Sequence, residues 1–433
     1  MHIQTKIIRN LYSSLFFLAI PVVLFRLLLR SRQQPAYRRR WKERLGLVQS
    51  PAKPCIWVHT VSVGETIAAI PLITQLITAY PQYTIYITTT TPTGSTQVRK
   101  HFGTQIEHSY LPYDVPCFLK RFIKRINPQL CIIMETEVWP NLLFYCQRAN
   151  IPTLLANARL SEKSYHGYAR LKVVASDLFN LFIHIAAQST VDARHFTQLG
   201  VNPAKITVTG SIKFDRDIDT HITTTAEQYR QQWQLSDRPV IIAASTRDGE
   251  EPYILDAYQQ LKQAHPETFL ILVPRHIERC EHIIKLCAAR QLTLQRRSNQ
   301  TESLALCDIL LGDTIGELLL LYACADIAYV GGSLVDTGCH NVLEPAALGM
   351  PIITGPSLRN FKTICTMLQQ ANAQIIIYNA AELAASWQEL IENKSKAQDM
   401  GNSAFKVYQS NKGATDKHLQ IIKTYLPATA ATG

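Results

Sequence analysis

Residues 330–356, "VGGSLVDTGCHNVLEPAALGMPIITGP", hold the side chains best suited to ligand chemistry. A strand-like "DIAYV" runs into Gly331, Gly332 and Ser333, small residues that permit a left-handed turn and a close backbone approach to a ligand. His340-Asn341-Val342-Leu343-Glu344-Pro345 then opens a helix, with Asn341 and Glu344 three apart on one face. The free N–H groups of a helix N-terminus bind phosphate, and a glutamate on that face can hold a ribose diol. The plain alternative is a capping pair that meets no ligand. A second carboxylate, Glu65 in "WVHTVSVGE", stands where an apolar run turns into a helical pattern. Negative charge is favoured in a first helical turn, so on that fragment alone Glu65 reads as a cap.

Other combinations carry less. Asp215 and Asp217 in "FDRDID" have the spacing of a two-carboxylate metal site, but they open a polar stretch and no metal is expected there. The thirteen histidines form no HxH or HxxxH set, and Cys339 beside His340 has no third ligand close in sequence. Threonines 88–91 fit a strand end and its turn. The ten cysteines include no CxxC pair and lie mostly in apolar runs such as "CIWV" and "LCIIM". That is the pattern of reduced, packed thiols rather than of a disulfide framework.

The elements that must position these residues repeat along the chain. At 433 residues the chain exceeds what one core usually organises, so two domains are expected. From residue 55, continuous apolar runs ("CIWVHTV", "YTIYITTT", "LCIIMETE", "TLLANA", "LFIHIAAQS", "ITVTGSI") alternate with helical patterns. Such runs suit parallel strands buried on both faces, hence a doubly wound α/β domain. The polar stretch "DRDIDTHITTTAEQYRQQWQLSDRP" interrupts the pattern, with a helical portion near Ala226 and Trp233. Alternation restarts at "PVIIAAST" and continues to "AQIIIY", a second α/β domain. The divisions are 1–30 (hydrophobic anchor), 31–215 and 237–405 (Rossmann-like domains), 216–236 (linker) and 406–433 (helical tail). Two such halves imply a cleft with chemistry at the carboxyl ends of strands.

The net charge of +11 is concentrated: residues 26–44 carry +7 of it, and the remainder is spread thinly. One basic block beside an apolar segment suits an anionic membrane surface better than a nucleic-acid groove. The segment "LYSSLFFLAIPVVLF" is uncharged, and basic residues rather than a small-residue cleavage site follow it. An uncleaved anchor is expected, spanning or lying in the interface, with the body of the protein on the cytoplasmic side.

Taken in order, "HTVSVGET", "TTTTPTGS", "YLPYDVP", "METEVWPNLL", "NARLSEKS", "VTGSIKFD", "LVPRHIER", "GDTIGELLLLY" and "GGSLVDTGCHNVLE" cover nearly the whole chain. Together they resemble the 3-deoxy-D-manno-octulosonic acid (Kdo) transferase family of GT-B glycosyltransferases, which adds Kdo from CMP-Kdo to the lipid A precursor, lipid IVA. The resemblance implies two Rossmann-like domains facing a cleft, an N-terminal membrane anchor, and the cytoplasmic face of the inner membrane. Glu65 then corresponds to the proton acceptor, and Glu135 and Lys213 to transition-state stabilisers. Glu137 competes with Glu135, since residues two apart on a strand share a face. Pro274 and Arg275, Ile315, Gly316 and Glu317, and Asn341, Val342, Leu343 and Glu344 match the CMP-contacting segments. Ser245 and Thr246 in "STRDGEE" offer hydroxyl donors, and Arg247 stands where the family has a small residue or histidine.

The same resemblance implies inverting transfer without a covalent intermediate or a cofactor. A membrane-associated GT-B enzyme using a UDP-sugar is the alternative, and an inert lipid-binding scaffold is a further one.

Overall fold

The computed structural model describes residues 2–32, 35–216, 218, 221–299 and 303–426. Asp217, half of the Asp-x-Asp pair, lies outside them, as do parts of the expected linker and tail. The chain divides into two compact units, residues 1–216 with 412–433, and residues 217–411.

Seven strands form the sheet of the first unit: β1 (Cys55–His59), β2 (Thr84–Thr89), β3 (Glu107–Tyr110), β4 (Pro128–Met134), β5 (Thr153–Ala158), β6 (His184–Ala187) and β7 (Ile206–Val208). All pairs are parallel, in the order β3-β2-β1-β4-β5-β6-β7. Alternate side chains feed two cores. Trp57, Cys131, Leu155 and Ile185 enter one with Phe122 and Phe179. Ile56, Val58, Ile132 and Leu154 enter the other with Leu72, Ile73 and Leu76 of the helix Val63–Ala79. The fully buried Trp57 donates its indole N–H to Thr88 Oγ1 at 2.8 Å, and Thr91 caps the helix Pro92–Phe102. The threonine row therefore builds a strand end and a cap. The strand order runs outward both ways from β1 and β4, which makes their carboxyl ends a topological switch point, where ligands of such sheets bind.

The second sheet repeats the plan with β8 (Val240–Thr246), β9 (Phe269–Pro274), β10 (Leu294–Arg296), β11 (Ile309–Leu311), β12 (Ile327–Val330), β13 (Ile352–Thr354) and β14 (Gln374–Ile376). They are parallel, in the order β10-β11-β9-β8-β12-β13-β14, with the switch point between β8 and β12. The helix His221–Gln232, read as part of a linker, belongs to this unit: Ala226 and Trp233 pack with Val240 and Ile242. All ten cysteines are free, and most are buried.

The tail divides. The helix Lys394–Ser410 stays with the second unit, where Met400 joins its core. The helix Ala414–Tyr425 returns to the first, placing Ala414, Ile422 and Leu426 among Ile56, Leu72 and Leu154. Asp215 fixes its start, accepting from Gly413 N–H at 2.7 Å and from Thr415 N–H.

At the other end, the helix Ile3–Arg30 spans about 42 Å and is long and apolar enough to cross a membrane. Ile3, Ile7, Leu11, Leu15, Leu18, Val22 and Phe25 are exposed along it. Its polar residues meet the first unit instead: Thr5 Oγ1 donates to Asp177 at 2.6 Å, Ser13 Oγ to Asn141 Oδ1 at 3.0 Å, and Arg9 stacks 3.4 Å over Phe144.

Candidate active site

Glu65 opens the helix Val63–Ala79 at the carboxyl end of β1 and is 9% exposed. Ser62 Oγ accepts from the Glu65 N–H at 3.4 Å and donates to Glu65 Oε1 at 2.9 Å, while Val61 N–H donates to Oε2 at 2.7 Å. This reciprocal cap both starts the helix and fixes the carboxylate. Burial pushes the pKa of Glu65 up from its ordinary value; the Val61 N–H opposes that shift and the charge of Glu135 adds to it. Desolvation thus outweighs the helix terminus.

Glu135 is the first residue after β4, with φ +56°, and its N–H donates to Ala156 O at 2.9 Å. A left-handed conformation costs a residue with a side chain roughly 1–2 kcal/mol. Its Oε1 lies 3.2 Å from Lys213 Nζ. Glu135 and Glu137 do not share a strand face, because β4 ends at Met134 and a turn sets their directions. Glu135 takes the ion pair with Lys213. Glu137 is pushed up to about 7 by burial, with Glu65 and Glu135 adding and the Trp139 indole opposing. Three carboxylates therefore feel one another at this switch point.

Lys213 lies in a short turn, Ile212–Asp215, beyond the end of β7 rather than on the strand. Asn157 holds that turn, its Oδ1 accepting from Ile212 N–H at 3.1 Å. Asn157 is itself left-handed (φ +51°) and donates its N–H to His418 Nε2 at 2.9 Å. His418 bonds Ala414 O through Nδ1 at 2.7 Å, and burial takes its pKa down to about 4. It is a neutral ring with its proton on Nδ1. The returning helix and Asn157 thus support the lysine.

In the second unit the glycine loop after β12 has a different use from the one expected. Glu250, fully buried, accepts from the N–H groups of Gly332 (2.6 Å), Ser333 (3.0 Å), Leu334 (2.9 Å) and Arg247 (2.8 Å) and from Tyr329 OH (2.8 Å). Those loop N–H groups are spent on an internal acid rather than offered to a ligand. Gly332 (φ +75°) is required because the His340 ring lies over it, where an added Cβ would stand 2.9 Å from Cδ2. Asn341 does not share a helix face with Glu344. It precedes the helix Leu343–Ala347 and its Oδ1 accepts from Leu343 N–H at 3.1 Å. The Val342 and Leu343 side chains are buried.

Pro274 ends β9, and the N–H of the exposed Arg275 donates to Thr246 O at 3.0 Å. Ile315, 79% exposed, and Gly316 (φ +98°) follow β11. Glu317 is held by Arg297 at 2.8 Å and by the Thr314 hydroxyl. These segments therefore gather at the carboxyl ends of β9, β11 and β12. Among the described residues, no group of three or more His, Cys, Asp or Glu could hold a metal ion.

Residues 39–216 match the family described as 3-deoxy-D-manno-octulosonic-acid transferase (kdotransferase). A 3-deoxy-D-manno-octulosonic acid transferase of Haemophilus influenzae is 39% identical over 422 residues, 96% of this chain and 99% of that protein. The chain belongs to the Kdo transferase family. The transferase of the same description from Bordetella pertussis is 34% identical over 87% of this chain and 89% of its own length. A glycosyltransferase of known structure from Rickettsia africae, 15% identical with a TM-score of 0.57 over 87% of this chain and 100% of its own, shares the fold.

In this Kdo transferase the structure gathers Glu65, Glu135 and Lys213 in one unit and the expected nucleotide segments in the other. Sequence reasoning assigned no role to Glu250 or Asn157. Asn157 stood inside the motif "NARLSEKS", but Glu250 reaches partners 79 to 84 residues away, which no local pattern announces.

Proposed function

We propose that this Kdo transferase moves Kdo from CMP-Kdo to the lipid A precursor, lipid IVA, with inversion at the anomeric carbon. The donor binds the second unit and the acceptor meets the first. The acceptor oxygen attacks the anomeric carbon and its proton passes to Glu65. The bond from that carbon to the phosphate oxygen breaks, and CMP leaves with the electron pair.

The observation that carries this reading is the fixed, half-satisfied Glu65 carboxylate in electrostatic reach of the Glu135–Lys213 ion pair. A raised pKa makes the ionised carboxylate a stronger proton acceptor. An oxocarbenium-like sugar that bears its own carboxylate and loses a phosphate is stabilised by paired charges of both signs. Arg275 offers a forked donor to phosphate, and Glu317 and Glu344 accept from ribose hydroxyls or the cytosine amino group. CMP carries a single phosphate, so no divalent ion is needed.

The apolar face of the helix Ile3–Arg30 and the basic residues 26–44 attach the enzyme to the cytoplasmic face of the inner membrane. The hydrogen bonds of Thr5 and Ser13 to the body favour a helix lying in the interface over one that spans it. Purified protein with CMP-Kdo and lipid IVA should give a lipid heavier by Kdo in mass spectra, with or without EDTA. Product only from UDP-sugars, or only with added Mg²⁺, would contradict the proposal.

A further inference from the structure

Arg247 and Arg275 end adjacent strands. Thr246 pairs with Pro274 across β8 and β9, and the Arg275 N–H bonds Thr246 O at 3.0 Å, which sets the two arginines side by side along the sheet. Among the described residues, neither guanidinium is paired with a carboxylate.

The acids nearby are already committed. Glu250 serves five donors, including the backbone N–H of Arg247. Glu251 and Asp248 belong to Arg279, at 2.9 and 2.8 Å. Arg247 is instead held by two imidazoles: Nε donates to His340 Nε2 at 3.1 Å and Nη1 meets His276 Nε2 at 2.7 Å. A ring nitrogen that accepts from a guanidinium carries no proton. Burial, then Arg275, Arg247 and His276, push the pKa of His340 down to about 4, so that ring stays neutral. Imidazoles bring no negative charge, so they orient the guanidinium without cancelling its own. A half-buried cation held this way is incomplete until an anion arrives.

The donor in the proposed function has two anionic groups, the phosphate of the nucleotide and the carboxylate beside the anomeric carbon of the sugar. Arg275 is assigned to the first. We infer that Arg247, positioned by His276 and His340, binds the carboxylate of the transferred sugar and thereby selects an anionic ulosonic sugar over a neutral one. This rests on the reading of CMP-Kdo as donor.

The test uses the full chain with CMP-Kdo and lipid IVA, and CMP alone as a competing inhibitor. In Arg247→Gln the KM for CMP-Kdo should rise roughly 10- to 100-fold, the value of one charge-assisted contact. The Ki for CMP, which has the phosphate and lacks the sugar, should stay within about twofold. Arg247→Lys keeps the charge but loses the fork, so a smaller rise in KM with the same Ki is expected, and it serves where the glutamine variant does not fold. A Ki for CMP that climbs in step with KM makes Arg247 a phosphate ligand and overturns the inference. An unchanged KM in both variants overturns it as well. A wild-type chain that binds CMP yet makes no product from CMP-Kdo removes the underlying reading first, and this inference with it.

Discussion

At the switch point of the first unit, Glu65, Glu135 and Glu137 stand with one lysine, Lys213. At that of the second, Arg247 and His340 stand with Arg275 and His276 from the end of the neighbouring strand. The topology around the two is nearly the same, and each has a left-handed residue with a side chain at a strand end, Glu135 (φ +56°) and Ser245 (φ +58°). The same physical cause acts on both with opposite results. Burial pushes Glu65 up and Glu137 to about 7, toward forms that hold protons, and pushes His340 down to about 4, toward the neutral ring whose Nε2 accepts from Arg247. Sheet topology fixes where chemistry happens. Which side chains are satisfied internally fixes its sign: Glu250 and Glu251 of the second unit are consumed by N–H groups and Arg279, whereas among the described residues Glu135 is the one of the three acids at the first switch point that has an ion pair.

The comparison is sharpened most by Glu65→Ala. Loss of a general base should lower kcat about 10³-fold while the Ki for CMP stays put, measured by product formation and by inhibition. A matching loss of CMP affinity would mean that the two ends are not separate in function. Next in size is Gly332→Ala, which forces a Cβ against the His340 ring and the Gly338 carbonyl in a left-handed turn. Its melting temperature should fall by about 5 °C, and its KM for CMP-Kdo should rise several-fold as Arg247 loses a support. An unchanged KM would detach His340 from donor binding. The smallest effect belongs to Glu137→Gln. The folded pKa of Glu137, about 7, lies above its unfolded value, so its contribution to stability is full at low pH and is lost as pH rises through 7. The glutamine variant should therefore melt about 1–3 °C higher than wild type at pH 8 and the same at pH 4, below the ordinary carboxylate value. Equal gains at both pH values would show that no buried charge was being relieved.

The strands were legible because parallel strands buried on both faces have to be written as unbroken runs such as "CIWVH" and "FLILVP". Glu65 was legible as a cap, and the structure shows the capping geometry directly. The environment of Glu65 was not legible, since the helix terminus is local whereas the desolvation that outweighs it comes from the whole fold. Glu135 and Glu137 could not be told apart because the pleat rule stops applying where β4 gives way to a left-handed turn. The glycines after β12 were read as ligand contacts, but the Gly331 N–H goes to Ala244 O and the Gly332 N–H to Glu250, both far away in sequence. The tail was placed at 406–433, yet its first residues belong to the helix Lys394–Ser410 of the second unit, whereas Ile422 is buried in the first.

That division of the tail bears on biosynthesis. Ala414, Ile422 and Leu426 fill the core beneath β1, and Asp215 waits for the amides of Gly413 and Thr415. While the ribosome is still translating the second unit, the first has a gap where its closing helix belongs. It can be completed only when the last segment emerges, and a fragment cut after residue 216 would expose that apolar groove to solvent.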